Sequence, residues 1–193
     1  MTERMHELAS EIIHLQGELD REIESRRKRL GAALTERIGE FEHGVVAEHR
    51  RLKLSAGQFL AQSSFLTTIT APVIYSLSVP LLLVDIWISL FQAICFRVYG
   101  IARVRRADYI IFGRQHLAYL NSIETANCLF CAYANGLIAY AREIGSRTEQ
   151  YWCPIKHALR IPDAHLRYFE FLEYGDADGY RARLNDFRDK LRA

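Results

Sequence analysis

Between Lys53 and Asp85 no side chain is charged at neutral pH, and this stretch limits the fold more than any other feature of the chain. Its densest part, APVIYSLSVPLLLVDIWISLFQAICF at residues 71–96, exceeds the about 20 residues a helix needs to cross a hydrocarbon core. Arg51 and Lys53 flank it on one side, and Arg97, Arg103, Arg105 and Arg106 on the other. Basic residues favour the cytoplasmic face, so two basic flanks point to a helical hairpin or re-entrant segment, with Pro72 and Pro80 as places where a helix breaks or kinks. A single tilted span, an interfacial foot and the buried core helix of a soluble protein are the alternatives. Asp85 stands alone in the run. A carboxylate at membrane depth is costly and is paired or functional. It fits best at a helix end or near the headgroups; deeper, its partner is an arginine between 97 and 106 or a hydroxyl of Thr67, Thr68 or Thr70.

The charges divide the chain into three regions. Residues 1–53 carry ten Lys/Arg and eleven Asp/Glu, residues 54–96 carry only Asp85, and residues 97–193 carry fifteen and eleven. In the first region, Leu8, Leu19, Leu30, Phe41 and Leu52 recur every eleven residues, as do Ile12, Ile23, Leu34 and Val45. Eleven residues per three turns is close to the period of a straight helix. A long amphipathic helix or self-associating coiled coil over 1–53 is expected. The third region reads as helical: one pattern from His116 to Gly145 with a break at Asn135-Gly136, a helix from Pro162 to Gly175, and a final amphipathic helix. Tyr109 to Phe112 suggests a short strand.

Composition excludes some classes. A net charge of +2 gives no bulk electrostatic drive toward nucleic acid. The opening MTERMHELASE has no apolar core of a cleavable signal. Four cysteines in 193 residues are too sparse for a disulfide scaffold, so a reducing compartment is expected. No nucleophile elbow, P-loop or dinucleotide glycine pattern is present, and whether the chain is an enzyme stays open.

Cys128-x2-Cys131-x21-Cys153-x3-His157 has the spacing of a zinc site with three thiolates and one imidazole. Each half places two ligands one helical turn or a tight knuckle apart, with Pro154 in the first turn of a helix that Cys153 caps. A straight helix between the halves would separate Cys131 from Cys153 by about 30 Å, so closure requires the chain to double back at Gly136 or Gly145. With Cys95 the same thiols admit an iron–sulfur cluster; a C-x-x-C redox pair and buried, inert cysteines are further readings. His116, Glu124, Glu143 and Glu149 lack the paired E-x-x-H signature of a di-iron site, which leaves salt bridges and capping as their expected roles.

APVIYSLSVPLLLVDIWISLFQAICFRVYGIARVRRADY and YANGLIAYAREIGSRTEQYWCPIKHA together resemble a family of uncharacterised bacterial membrane-associated proteins, over roughly residues 60–175. The resemblance implies a bacterial, membrane-associated setting and brings no activity. The chain is thus expected to be mostly α: a long amphipathic N-terminal helix, a membrane-embedded hairpin or span, and a compact metal-clasped helical C-terminal region over 97–193. The function expected is that of a zinc-binding scaffold at the cytoplasmic face of the inner membrane. It contacts lipid and recruits copies of itself or a protein partner through its N-terminal helix. The alternative is an iron–sulfur protein exchanging electrons with a membrane quinone or partner.

Overall fold

A computed structural model describes residues 7–8, 10–12, 14–26, 28, 48–159 and 161–192. It is mostly helical, and the described residues contain no strand, only isolated bridges pairing Ile101 with Arg192 and Ile155 with Leu172. Residues 14–26 form α1, and residues 48–51 are helical. The expected continuation of the stripe through Leu30, Leu34, Phe41 and Val45 lies outside the described residues. Leu8, Ile12, Leu15, Leu19 and Ile23 are exposed.

Helix α2, Ala56–Gln62, is fixed by a capping box in which Ser55 Oγ accepts from the Gln58 N–H and Gln58 Oε1 accepts from the Ser55 N–H. Helices α3, Phe65–Ser76, and α4, Ser78–Phe91, meet at Leu77. Pro80 explains the joint: it offers no N–H to the Ser76 carbonyl and its ring crowds that carbonyl. Leu77 instead donates to Ile74 O at 3.2 Å, a tightened turn. A π-helical turn at Gln92–Phe96 and a short α5, Arg97–Tyr99, continue the rod. Gly100 ends it in the left-handed conformation, φ 70°, and the Ile101 N–H returns to Phe96 O at 2.8 Å, the six-to-one bond of a Schellman cap. Phe65–Tyr99 is therefore one helical run of 35 residues rather than a hairpin. Its mean hydropathy is 2.0, and only 11% of its apolar window is buried. A core helix of a soluble protein would be mostly covered, so this is a helix long and apolar enough to cross a membrane.

Helix α6, Ser122–Trp152, runs alongside this rod in the same direction. Tyr75 meets Asn127, Asp85 meets Tyr133, Gln92 meets Tyr140 and Tyr99 stacks on Tyr151. The shared core holds Phe96, Ile101, Val104, Ile110, Leu137, Tyr140, Ile144 and Leu191. The expected break at Asn135-Gly136 does not occur. Gly136 is a close-approach position: a Cβ there would lie 2.6 Å from Tyr109 O and 2.9 Å from Ile110 Cα. Residues 109–112 form a turn and coil laid on that glycine rather than a strand.

Beyond α6 the chain doubles back in loops. The helix expected from Pro162 to Gly175 is only a 3-10 turn, Leu166–Glu170. Helix α7, Ala177–Asp189, capped by Asp176, agrees with expectation. It docks on the end of α6, where Gln150 Nε2 donates to Phe187 O at 2.9 Å and the Arg188 guanidinium covers the Tyr151 ring at 4.8 Å.

The two glycines of α6 should respond oppositely to the same substitution. Gly136→Ala forces backbone apart and is expected to destabilise by about 1–3 kcal/mol. Gly145, with nothing within 4 Å of an added Cβ, should gain up to about 1 kcal/mol as alanine. Thermal unfolding of the two variants in detergent, followed by circular dichroism, checks the opposite signs.

Candidate functional site, a polar seam along the apolar helix

Along the rod, Leu81, Asp85, Ile88, Gln92 and Phe96 follow helical spacing and face α6. Asp85, only 8% exposed, is the charged member. Arg106 holds it bidentately, Nε to Oδ1 at 3.0 Å and Nη2 to Oδ2 at 2.6 Å. The Tyr133 hydroxyl donates to Oδ2 at 2.9 Å. Fork-on-carboxylate geometry is the strong form of this pair, and it answers the isolated carboxylate: an arginine from the 97–106 stretch neutralises it. The opposite face of the same helix carries Leu83, Ile86, Trp87, Leu90, Ile94 and Val98, all exposed.

Two turns on, Gln92 is 2% exposed and uses both ends of its amide. Nε2 donates to Tyr140 Oη at 2.6 Å, and Oε1 accepts from the Val104 N–H at 2.6 Å. A buried amide left unpaired costs about 1–3 kcal/mol; here it stitches α6 and the loop after α5 onto the rod. π turns concentrate at functional sites, and this one begins at Gln92.

A second cluster sits further along α6. Glu143 pairs with Arg147 at 2.7 Å and Arg167 at 2.9 Å, and Arg147 Nη1 donates to Ala102 O. Burial pushes the Glu143 carboxyl up, but the two guanidiniums outweigh it and hold the group below its ordinary 4.5. His165 is committed structurally: Nε2 contacts Glu149 Oε2 at 2.8 Å, and Nδ1 accepts from the Tyr168 N–H. Glu124 closes the capping box of α6. The carboxylates weighed for a di-iron centre thus do capping and ion pairing.

The cysteines are placed differently from expectation. Cys128 and Cys131 lie one turn apart on α6, and Cys153 is its C-terminal cap. The helix continues unbroken through Gly136 and Gly145, so the 22 positions from Cys131 to Cys153 span about 33 Å at 1.5 Å per residue. Cys153 ends a helix rather than starting one, and Pro154 enters an irregular segment in which its carbonyl accepts from the Leu172 N–H. The His157 ring stacks on Tyr168, centroids 5.8 Å apart. Cys95, half-buried, lies in the π turn. The zinc-like set and the four-cysteine set are therefore not brought together. Either would require α6 to break, and among the described residues no group of three or more His, Cys, Asp and Glu side chains could hold a metal ion.

The seam residues Gln92, Tyr133 and Tyr140 were not anticipated. Their signal was present: Asp85, Ser89 and Gln92, at i, i+4 and i+7, form a polar stripe on an otherwise apolar helix. These features define a mostly helical protein with, among the described residues, one helix long and apolar enough to cross a membrane. Compared with protein-family models, curated proteins and solved structures, the chain matches none.

Two outcomes test the clusters. Asp85→Asn removes the acceptor charge under Arg106 and is expected to destabilise by about 1–3 kcal/mol. Tyr133→Phe should lose about 1 kcal/mol, and the double variant less than the sum, since both share Oδ2; denaturant unfolding of the three variants measures this. For Glu143, whose folded pKa is depressed, the stabilisation is present above the ordinary glutamate range and lost as pH falls below 4.5. The melting difference between the parent chain and Glu143→Gln should be largest near neutral pH and shrink toward zero in acid.

Proposed function

We propose that the chain is a non-enzymatic, membrane-anchored scaffold whose apolar helix inserts into the lipid bilayer with the first part of α6 packed along it, and whose remaining helical region lies at the cytoplasmic face. The observation that carries this is the 35-residue apolar run with 11% of its window buried: folding alone leaves its surface uncovered, and lipid is the solvent that suits it. Within the run, Phe65 to Val84 is free of charge and spans about 30 Å, one hydrocarbon thickness. Asp85 then falls at the boundary, paired with Arg106 rather than stranded at the midplane. Trp87, 74% exposed one turn beyond Phe65–Val84's end, suits the aromatic belt at a headgroup layer. Arg97, Arg103 and Arg105 follow on the same side, which favours the cytoplasmic face for the end of the run and for the part of α6 beyond Tyr133; the stretch of α6 from Asn127, beside Tyr75, to Tyr133, beside Asp85, lies along the inserted segment.

The exposed stripe of Leu8, Ile12, Leu15, Leu19 and Ile23 supplies an apolar face for a second copy or a helical partner. In this reading the membrane segment fixes location and the N-terminal stripe gathers partners, in a bacterial inner-membrane setting.

Alkaline carbonate extraction of the membrane fraction tests the proposal. The parent chain should remain in the pellet. Ile74→Arg with Leu77→Arg, each disfavoured by about 2.5–3.5 kcal/mol at the centre of a span, should shift most of the chain to the supernatant. Release of the parent chain itself would overturn the proposal.

A further inference from the structure

The N-terminal stripe meets the loops beyond α6. Leu8 and Ile12 line a cavity of about 760 Å³ together with Leu159, Ile161, Leu166 and Phe169. They are also the least exposed members of the stripe, at 43 and 47%. The loop side of this cavity is a pinned surface. The Lys156 N–H donates to Leu172 O at 2.7 Å, and the Leu172 N–H to Pro154 O at 2.9 Å. The His157 N–H donates to the Tyr168 hydroxyl at 2.7 Å. From α6, the Arg142 guanidinium donates to the Asp163 carbonyl and lies 3.4 Å from Asp163 Oδ2. That grip holds Asp163 in the left-handed conformation, φ 53°, which residues other than glycine adopt rarely. Ile161 packs down onto the small core around Phe187, while Leu159 and Leu166 stay exposed above it.

The groove and the side chains laid beside it belong to one chain. Closing one on the other removes apolar surface from water, and the covalent tether spares it the loss of translational freedom that a separate partner bears. Closure is incomplete. Packed interiors leave few voids larger than a water molecule, and a space of about 760 Å³ is many times that. Leu8 and Ile12 therefore touch the groove at its edge rather than fill it, and a contact with so few buried atoms opens at low free-energy cost. The same two side chains belong to the stripe that offers a face to a second copy. One apolar surface thus has two uses that exclude each other.

We infer that Leu8 and Ile12 form an intramolecular strap, closing on the groove of Leu159, Ile161, Leu166 and Phe169 in their own chain, so that the stripe reaches a second copy only by leaving that groove. The strap is an autoinhibitory contact: the pinned loops withhold the stripe, and whatever loosens them releases it. This rests on the reading of the stripe as the face that gathers partners. Closure within one chain is measured without any partner, so the two fail separately.

The test uses the full chain in neutral detergent. Hydrogen exchange of residues 7–16 is compared between the parent chain and Leu159→Ser with Leu166→Ser, two exposed positions whose change leaves the core around Phe187 intact. Release of the strap should speed exchange there at least fivefold and leave residues 19–26, beyond the groove, unchanged. The second measurement is a cross-link. Ile12→Cys with Leu159→Cys, on a background of Cys95→Ala, Cys128→Ala, Cys131→Ala and Cys153→Ala, is treated with a short bifunctional maleimide in a mixture of isotopically light and heavy chains. Light–light and heavy–heavy products are expected, formed at least tenfold faster than with Ile23→Cys and Leu159→Cys, since Ile23 lies roughly 16 Å further along the helix. Unchanged exchange in the groove variant, or cross-links that join light to heavy chains, overturns the strap. The dimer fraction at fixed concentration, from sedimentation, should rise at least threefold in the groove variant. A chain that closes its strap yet stays monomeric in both forms overturns the release of the stripe to a second copy, and with it the stripe's role in gathering copies.

Discussion

Asp85 is held by the Arg106 fork and the Tyr133 hydroxyl on a helix that is otherwise almost wholly apolar, and the rest of the architecture follows from that anchorage. A carboxylate in such a helix is tolerable only where charge and hydrogen bonds reach it. Arg106 reaches it from the turn after α5, which requires the chain to leave the rod at Gly100 and fold back along it. That return brings Val104 to Gln92, Ile110 to Gly136, and α6 into register with the rod from Tyr75 to Tyr99. One helix therefore serves two environments: an inward stripe that is part polar and packed, and an outward face that is apolar and bare.

The seam is high-stakes in the sense that each polar group in it depends on another. Gln92 satisfies Tyr140 and a backbone N–H at once, and Tyr133 shares Oδ2 with Arg106. Apolar contacts alone would let α6 slide along the rod, since Leu, Ile and Phe neighbours are interchangeable within a turn. Paired polar groups seven residues apart on each helix, Asp85 with Gln92 against Tyr133 with Tyr140, allow one register. The tight approach at Gly136 enforces the same register sterically, because no other residue type admits the Tyr109–Ile110 backbone so closely.

Several of these features were legible before the structure. The uncharged run, the helix it forms, the final amphipathic helix and an arginine partner for Asp85 follow from charge and period. The misreadings share a cause. Asn135-Gly136 reads as a break because glycine weakens a helix in isolation; its value here is the absence of a Cβ, which shows only when the 109–110 segment arrives. The cysteine spacing suggested a site because ligand motifs are read along the chain, while a 31-residue helix decides distance in space. Pro162 and Gly175 bracketed a helix by rule, yet the HLRYFEF segment between them spends its aromatics on a small core with Phe187 and keeps only a 3-10 turn.

Whether the rod sits in lipid determines what the seam is for. In water, solvent would screen the Asp85–Arg106 pair from the Arg106 side, which is nearly half exposed, while Asp85 stays covered. Against a bilayer the same geometry does more. In lipid, with the charge-free segment ending at Val84, the pair would mark where the helix leaves hydrocarbon, and sliding the rod deeper by one turn would submerge both charges. Sliding it outward would expose Phe65, Leu66 and Ile69, already bare on all sides. Depth is then fixed from both ends by opposite penalties, and the region packed on the inward stripe is held at a defined height and angle to the surface. A lone apolar anchor would allow tilt and rotation; a rod with one polar seam does not. In lipid, that positional constraint would arise from a single carboxylate and the arginine that answers it.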